Sequence, residues 1–572
     1  MPQDIFEVIN YKQTNTTIMK NYFMKSSISL MVLSVALAGC NQEDIQRTSA
    51  QLSDKELKLF VSTQDFVSDA QGRAITNNDA TRTSAFENGD QMGLYIFSED
   101  GKVLCDNLLY TYTDGSWTTD KTIYQYKNAQ YVAYFPYCKD LSGVTGAESI
   151  TTYFADNILS NVSQTNAEAY EQADLMIATT SQVDGENVNL TLAHQFSMIE
   201  LNVPCRKYIT SATDGFQYAA PVKMEVEINE KTELYRAADG IYRMIVAPGT
   251  TPLIEGSVEY DENMPIYFSS SSVTMNPLTA GTFTQFNVTY DDPAVKGLTK
   301  DEATGRYIRP LQPGDYYYND GSIYPYAEGV VDQPFTESCI GVIFEVGTGA
   351  PGTEWTHGSV LALNNAHSDW SKWGNAGTPI DGNSVDASSG SVELFNFLSG
   401  KMDGYTLTNT FTTAFGGLDC AFTKIKIFGS VEAPESWRFT EYAAPENRTS
   451  GWYMPSAGQL LAIWSGLGGY TVAADNYMNS MTSDHSAKSE AVEKIQAAIE
   501  KVGGVFISQS NSDTEKGIKQ LWWSTTEVSN DNVWAIEWNY ADTDSWTTGF
   551  SSKGKASGWD IAKVYARPVL SF

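Results

Sequence analysis

The chain has 572 residues and a formal net charge of −32 at neutral pH. Its length allows roughly two to four domains, each with its own hydrophobic core. A surface this acidic repels phosphate backbones and anionic headgroups, so the charge excludes nucleic acid as an expected partner and excludes a membrane contact made by charge. Aromatic residues make up 12% of the chain and include 32 tyrosines, a composition that favours β-rich structure.

An export signal is predicted before Cys40. Lys20 and Lys25 precede an apolar run over residues 28–37, which is shorter than the about 20 apolar residues that a transmembrane helix needs. The run ends in Leu37-Ala38-Gly39-Cys40, which resembles the bacterial lipobox. This resemblance implies a lipoprotein of the outer membrane whose mature form begins with lipidated Cys40.

The predicted export signal divides the N-terminal segment into two parts, one before Cys40 and one that begins with it. Residues 1–39 are predicted to be a mis-assigned start plus the signal peptide, with Met19 or Met24 as the true initiator. Residues 40–52 are polar and lack periodicity, so they are predicted to form a tether between the lipid and the first domain.

Short alternating strands are predicted from residue 53 to residue 206. Leu57, Leu59 and Val61 alternate with polar neighbours. Asp114-Gly115 lies between two aromatic segments, and this pair is a strong signal for a tight β-hairpin.

The same style continues over residues 207–290, and the charged, turn-rich segment 291–310 is predicted to be a linker. No helical segment of useful length is expected before residue 290. This pattern favours antiparallel sheets packed as sandwiches.

Five strings occur in a fixed order in this half of the chain. They are Arg82-Thr83-Ser84-Ala85-Phe86, Met92-Gly93-Leu94-Tyr95-Ile96-Phe97, Tyr131-Val132-Ala133-Tyr134-Phe135-Pro136-Tyr137, Asp174-Leu175-Met176-Ile177-Ala178 and Leu192-Ala193-His194-Gln195-Phe196-Ser197-Met198-Ile199. Together they resemble the fimbrillin-like (Mfa-like) family of pilus subunits. The resemblance implies an all-β N-terminal half with two antiparallel β-sandwich domains, 53–206 and 207–290. It also implies that other fimbrial subunits are partners, held by strand complementation.

His194 lies inside one of these strings. A lone histidine in an alternating strand is more often a core residue with its hydrogen bonds made inside the protein than a metal ligand. We therefore predict a structural role for it.

A different pattern covers residues 311–572. Ser456 and Gln459 form a capping box before a short apolar helix. Apolar residues recur at helical spacing over 492–502, and Gly503 is a helix stop. Two helices framed by strands indicate an α+β domain.

Three strings in this half carry a second resemblance. They are Gly451-Trp452-Tyr453-Met454-Pro455-Ser456-Ala457-Gly458-Gln459-Leu460, Leu521-Trp522-Trp523-Ser524-Thr525-Thr526-Glu527 and Val564-Tyr565-Ala566-Arg567-Pro568-Val569. They resemble the Fibrobacter-type major paralogous domain, which is similar to C-type-lectin-like folds. This implies a C-type-lectin-like binding domain whose last strand belongs to its own sheet. Thr525 replaces the serine that is more usual in that family, which leaves the fold unchanged.

Tryptophans divide into two groups. Trp452, Trp522 and Trp523 lie in the fold-defining strings and are predicted to be core residues. Others lie among Ser, Asp, Gly and Asn in segments without periodicity, where an exposed indole can serve a ligand. The predicted ligand-binding residues are Trp370, Trp373, Trp437, Trp546 and Trp559.

No metal, cofactor or catalytic site is predicted, and the chain is not expected to be an enzyme. Its four histidines lack zinc spacing. Pro445-Glu446-Asn447 has the wrong order for the calcium loop of C-type lectins, and Asp542-Thr543-Asp544 is interpreted as a solvated loop. No Gly-x-Ser-x-Gly elbow or other activated nucleophile accompanies His367 and Asp369.

Besides Cys40 the chain has five cysteines at wide spacing. An odd number without a regular pattern does not describe a disulfide framework, so buried thiols with at most one bridge are expected, and their pairing stays open. These residues are Cys105, Cys138, Cys205, Cys339 and Cys420.

These inferences predict a fimbrial tip or accessory adhesin. It would be an outer-membrane surface lipoprotein that joins a pilus by strand complementation and binds a glycan or protein on a host or bacterial surface through residues 311–572. The alternative is a monomeric surface glycan-binding lipoprotein of a polysaccharide uptake system. Three questions stay open. They are the identity of the ligand, whether the subunit occupies the tip or another accessory position, and whether the N-terminal segment is trimmed by proteolysis.

Overall fold

A computed structural model describes most of the chain from residue 52 onward. The described ranges are 52–68, 85–184, 186–212, 214–259, 265–271, 275–288, 295, 297–326, 334–367, 370–374, 391–435, 438–445, 447–471, 485–506, 519–527, 531–539, 548–552, 557–558 and 562–572. Over these ranges, no helix combines the length and the hydropathy needed to cross a lipid bilayer.

The first part of the chain builds a seven-stranded sheet. Strands β1 to β10 are Leu52–Glu56, Lys58–Thr63, Val67–Ser68, Gln91–Phe97, Val103–Thr113, Ser116–Thr118, Tyr124–Tyr126, Gln130–Phe135, Met176–Thr180 and Asn187–His194. The strand order is β2-β10-β9-β8-β4-β5-β6, and β1 pairs separately with β7. Strand β4 is buried on both faces, because Leu94 and Tyr95 point into two different core clusters.

Helices cover one face of this sheet. Helix α1 spans Ala147–Phe154, continues as a π-helical turn over Ala155–Leu159, and is followed by α2, Ala167–Ala173. Ile150 and Phe154 pack in the same cluster as Tyr95 and Tyr134 of the sheet. The expectation of no useful helix before residue 290 is therefore wrong. These helices span only eight and seven residues, so the helical repeat lasts about two turns in each and does not stand out in the sequence.

The predicted hairpin is confirmed. Asp114 has φ 49° and Gly115 has φ 83°, the left-handed values that a two-residue type I′ turn requires. The turn sets Thr113 of β5 opposite Ser116 of β6.

A second group of strands forms two further sheets and part of a third. Strands β11 to β19 are Ser197–Asn202, Lys207–Ile209, Gln217–Ala219, Lys223–Ile228, Tyr235–Ala238, Ile241–Val246, Ile254–Glu259, Pro265–Ser269 and Thr282–Asn287. One sheet has the order β15-β16-β11-β19-β3 and the other β14-β17-β18. A core cluster that includes Ile199, Val226 and Met244 draws on strands of both sheets.

These sheets differ from the expectation in two respects. Strands β3 and β11 lie in the predicted domain 53–206, whereas β15, β16 and β19 lie in 207–290, so strands of both predicted domains share one sheet. The sheets are also mixed rather than purely antiparallel, because β2 pairs parallel with β10 and β19 pairs parallel with β11 and β3. Parallel pairing joins segments distant in sequence, which local patterns do not reveal.

The end of the predicted linker is built into the fold. Strand β20, Tyr307–Ile308, pairs parallel with β12 in a small sheet of order β13-β12-β20. Tyr208, Tyr218 and Tyr307 from this sheet belong to the same core cluster as the C-terminal half. The two halves of the chain therefore share a hydrophobic core at their junction.

A buried ion pair follows β20. The Arg309 guanidinium donates from Nη1 and Nη2 to the two carboxylate oxygens of Asp315, each at 2.8 Å. Asp315 is fully buried and also accepts the backbone N–H groups of Gln312 and Tyr326, both at 2.9 Å. Arg309 Nη1 lies 3.2 Å from Tyr218 Oη, which connects the pair to β13.

The C-terminal half combines sheets and helices. Strands β21 to β30 are Tyr316–Tyr318, Ile323–Tyr324, Cys339–Val346, Gly358–Ala362, Lys519–Glu527, Asn532–Asn539, Thr548–Ser552, Ser557–Gly558, Ala562–Tyr565 and Val569–Ser571. Helices α3 to α7 are Ser391–Ser399, Gly404–Ala414, Ala421–Lys426, Ala457–Gly466 and His485–Glu500. The sheets have the orders β22-β21-β23-β24-β30 and β27-β26-β25-β29-β28. This is the α+β arrangement that the sequence predicts.

Both predicted helices are present. The Ser456 side chain accepts the backbone N–H of Gln459, and the Gln459 side chain accepts the backbone N–H of Ser456, so the capping box of α6 is confirmed. In α7 the buried residues include Ile495 and Ile499, and Gly503 follows with φ 79°.

The last strand belongs to its own sheet. Strand β30 pairs antiparallel with β24, with Val360 opposite Leu570, and is buried along its length. Strand β29 pairs parallel with β25 in the other sheet. Strands β29 and β30 are thus both integrated into the C-terminal core.

The buried ion pair yields a stability prediction. Asp315→Ala would leave the Arg309 guanidinium buried without its counter-charge, and breaking one side of such a pair typically costs about 3–5 kcal/mol. We expect a fall of that size in the free energy of unfolding of the C-terminal half, measured by denaturant unfolding with tryptophan fluorescence.

The matched control is Glu490→Ala, which breaks the solvent-exposed pair of Glu490 with Lys494 on α7. Exposed pairs contribute little, so this variant should unfold almost as the parent chain does. An Asp315→Ala chain as stable as the control would contradict the prediction.

Candidate functional site

Several predicted site residues lie outside the described ranges. These are Cys40, the predicted lipidation site, and the tryptophans Trp437, Trp546 and Trp559. Lipidation at Cys40 and ligand binding at these three tryptophans stay predictions.

Trp373 is not an exposed indole, so its prediction as a ligand-binding residue is wrong. Its side chain is fully buried, and its Nε1–H donates to the carbonyl oxygen of Ser524 at 2.7 Å. Phe411 and Phe422, from α4 and α5, pack edge-on against its ring at centroid distances of 4.7 and 5.0 Å.

A second buried tryptophan, Trp523 of the predicted core group, makes the matching contact. Trp523 Nε1–H donates to the carbonyl oxygen of Ser371 at 2.8 Å. Segment 371–373 and strand β25 are therefore joined by two hydrogen bonds, in each of which an indole of one segment donates to a backbone carbonyl of the other. Trp452, Trp522 and Trp523 are all buried, so their prediction as core residues is confirmed.

Trp370 remains a candidate for ligand contact. Its side chain is 39% exposed and lines a surface pocket of about 320 Å³ with Lys372, Leu418, Asp419 and Lys424. Lys424 Nζ lies 3.2 Å from Asp419 Oδ1. An indole beside an ammonium and a carboxylate offers an apolar face with polar groups at its edge, the usual composition of a small-molecule site.

His194 has the structural role that the sequence predicts. It is buried, its ring stacks on Phe66 at a centroid distance of 3.6 Å, and its Nδ1 lies 2.8 Å from Asp174 Oδ1. The histidine thus holds the chain between β2 and β3 against the end of β10.

The five described cysteines are free thiols. Burial raises the pKa of the Cys205 thiol to about 11 and also raises the pKa of Cys339, so both stay protonated at neutral pH. Among the described residues, no cluster of three or more His, Cys, Asp or Glu side chains could hold a metal ion.

A groove lies where the two ends of the seven-stranded sheet meet. Strands β2 and β6 end the strand order on opposite sides, and both line the same groove of about 490 Å³, together with parts of β5 and β10. Its lining is mixed: apolar side chains such as Leu59, Val61 and Trp117 lie beside polar ones such as Lys58 and Asn189. Trp117 Nε1 is buried and donates to no acceptor in the described part of the chain.

The sequence-based search missed this groove. Leu57, Leu59 and Val61 mark the inward phase of β2, but Phe60 between them is 56% exposed. An aromatic residue on the outward phase of an alternating strand is the signal that could have indicated a contact surface.

Comparisons with known proteins agree with the N-terminal resemblance. Residues 73–304 match the model of a family described as fimbrillin-like. The fimbrillin-like resemblance is confirmed for this part.

Similarity also extends over nearly the whole chain. A curated Bacteroides ovatus protein with the provisional name fimbrium tip subunit Fim1C is 23% identical over 586 aligned residues, which cover 91% of this chain and 96% of that protein. A crystal structure of a fimbrial protein from Bacteroides ovatus aligns at 20% identity with a TM-score of 0.46, covering 91% of this chain and 99% of the other. A structure from Bacteroides uniformis, described as a cell adhesion protein, aligns at 17% identity with a TM-score of 0.26, covering 44% and 96%.

The two described tryptophans give a paired prediction. Trp373→Ala removes a fully buried indole and should lower the free energy of unfolding by about 3–5 kcal/mol, because it leaves a large cavity. Trp370→Ala changes a half-exposed residue and should cost much less. Thermal unfolding of both variants measures this, and equal losses would contradict the contrast in their burial.

Proposed function

We propose that this chain is a fimbrial subunit that occupies the tip or another accessory position of a surface fimbrium. The observation that carries the proposal is the similarity to a protein named as a fimbrium tip subunit over more than nine-tenths of both chains. The fimbrillin-like match over residues 73–304 supports the N-terminal half as the part that joins the fimbrium.

The N-terminal half would join by accepting a strand from a neighbouring subunit. A strand at the edge of a sheet presents unpaired N–H and C=O groups, which an incoming segment can pair with. Strands β2 and β6 are such edges, and they line one groove that includes several apolar side chains. The buried Trp117 Nε1 adds a hydrogen-bond donor that an incoming backbone carbonyl would satisfy.

The pairing of strand β30 supports a subunit that does not give this strand to a neighbour. Strand β30 is paired with β24 and buried. Withdrawing it would expose buried backbone groups at about 1–3 kcal/mol each. A subunit that accepts without donating would lie at the distal end of a fibre.

The C-terminal half would then carry the adhesive function. We propose that residues 311–572 form a C-type-lectin-like domain and bind a ligand on a host or bacterial surface. The half-exposed Trp370 with its pocket supports this, and Trp437, Trp546 and Trp559 remain further candidates. Lipidation at Cys40 would anchor the chain in the outer membrane. The proposal requires neither a catalytic activity nor a cofactor.

The position in the fibre can be observed directly. Gold-labelled antibody against residues 311–572 should decorate the ends of sheared fimbriae at about one site per fibre, since a strand acceptor that does not donate terminates assembly. Labelling spread along the shaft would overturn the tip position. Labelling of the cell body with no fibre attached would instead support a monomeric glycan-binding lipoprotein.

The role of the groove in strand acceptance can be tested by substituting an exposed aromatic residue at its rim and, as a control, one elsewhere. Phe60→Lys places a charge at the rim of the groove and should reduce incorporation into fimbriae by about tenfold, equivalent to about 1.4 kcal/mol of binding free energy. The control is Tyr267→Lys on β18, another edge strand, where the tyrosine is 78% exposed.

Incorporation is measured by immunoblot of sheared fimbriae, normalised to total chain in the cell. The two variants should have equal thermal stability, because both side chains are exposed in the isolated chain. Loss of incorporation in both variants, or in neither, would argue against the groove as the acceptor.

A further inference from the structure

A cleft of about 520 Å³ lies at the junction of the two halves. One wall comes from β13 and β15, and the other from residues 354–357, Gly321 and Arg448 of the C-terminal half. Because both halves supply a wall, the cleft exists only where they meet. Neither of the two described tryptophans that were predicted as ligand-binding residues, Trp370 and Trp373, lines it.

Aromatic side chains form one side of the cleft. Phe216 stacks on His357 at a centroid distance of 4.1 Å and contacts Phe572 at 5.7 Å. Trp355 is partly buried and lines the same cleft. Aromatic side chains of this kind offer an apolar face against which the C–H face of a pyranose ring can pack.

Paired charges fix the wall behind this aromatic side. The Asp239 carboxylate lies 3.1 Å from Arg236 Nη2 and 3.6 Å from Arg306 Nη1. Arg236 Nη1 also donates to the backbone carbonyl of Asp320 at 2.5 Å, which connects β15 to the C-terminal half. These charges are satisfied within the protein, so this wall is held in place before any ligand arrives.

The rim, in contrast, carries polar groups that the protein leaves available. Within the described residues, the side chains of Gln217, Glu354, Trp355 and His357 make no hydrogen bond. The guanidinium of Arg448 donates one, to the Asp320 carbonyl oxygen at 3.4 Å. Planar groups such as carboxylate, amide and guanidinium can each hold two neighbouring hydroxyl groups of a sugar.

Charge decides which saccharide fits. Asp239 and Glu354 line the cleft together with Arg306 and Arg448, so the charges of the lining itself balance, whereas the chain as a whole has a net charge of −32. An acidic glycan would be repelled by this field, whereas a neutral one is not affected by it. Burial also lowers the pKa of His357, which leaves its ring neutral and able both to donate and to accept a hydrogen bond at neutral pH.

We propose that the junction cleft is a binding site for a neutral saccharide, with Trp355 as the stacking residue and Glu354 and Arg448 as hydroxyl-binding residues. This site is separate from the pocket at Trp370 and does not depend on assembly into a fimbrium.

The test uses the full mature chain, with Cys40→Ser to keep it free of lipid. The probes are immobilised neutral oligosaccharides of hexoses and N-acetylhexosamines, with sialylated and uronic-acid oligosaccharides and a peptide library as separate arms. We expect binding in the neutral arm. For the best neutral probe, Trp355→Ala should weaken the affinity at least about tenfold, and Glu354→Gln should weaken it by a smaller factor.

The matched control is Tyr267→Ala, which removes an exposed aromatic side chain on β18, outside the cleft, and should leave this affinity unchanged. Glu354→Gln preserves the shape of an exposed side chain, so it keeps the test valid if Trp355→Ala lowers the melting temperature. The proposal is overturned if no neutral oligosaccharide binds, if only acidic oligosaccharides or peptides bind, or if Trp355→Ala and Glu354→Gln bind as the parent chain does. A failure here would leave the fibre-end labelling unaffected, so the two proposals can fail separately.

Discussion

The buried ion pair between Arg309 and Asp315 is the interaction on which the joining of the two halves depends. Burial opposes the charged form of arginine, but the hydrogen bonds and charge of Asp315 outweigh it and raise the pKa of Arg309. The pair orients the chain as it passes from β20 into β21, and Tyr218 of β13 donates to the Arg309 carbonyl oxygen at 3.1 Å. Through Tyr218, which lines the junction cleft and belongs to the shared core, the pair is connected to both features.

Local signals in the sequence predict the parts of the fold that local interactions determine. The Asp114-Gly115 turn, the Ser456 capping box and the structural role of His194 all follow from residues close together in sequence, and all three are confirmed. Trp373 shows where this reasoning fails. Its neighbours in sequence indicate a surface loop, whereas its hydrogen-bond acceptor, Ser524, lies 151 residues away.

Long-range pairing also explains the errors in architecture. The parallel pairing of β11 with β19 connects residues 198–202 with 283–287, so no local pattern reports it. The strings behind the C-terminal resemblance converge in the same way. Arg567 is fully buried, lies over the Trp522 ring at 4.9 Å, and donates to the carbonyl oxygens of Leu363 and Val505. Burial lowers the pKa of Arg567 to about 9. The contacts of this one side chain link three segments that are distant in sequence, and local patterns do not report such contacts.

The free thiols have a consequence for how the described core is held together. The described fold contains five cysteines and joins none of them, so its described core is packed without a disulfide. Cys105, Cys339 and Cys420 are buried within core clusters, out of reach of small oxidants. These three thiols therefore pack as small apolar side chains, whereas Cys138 and Cys205 are only partly buried.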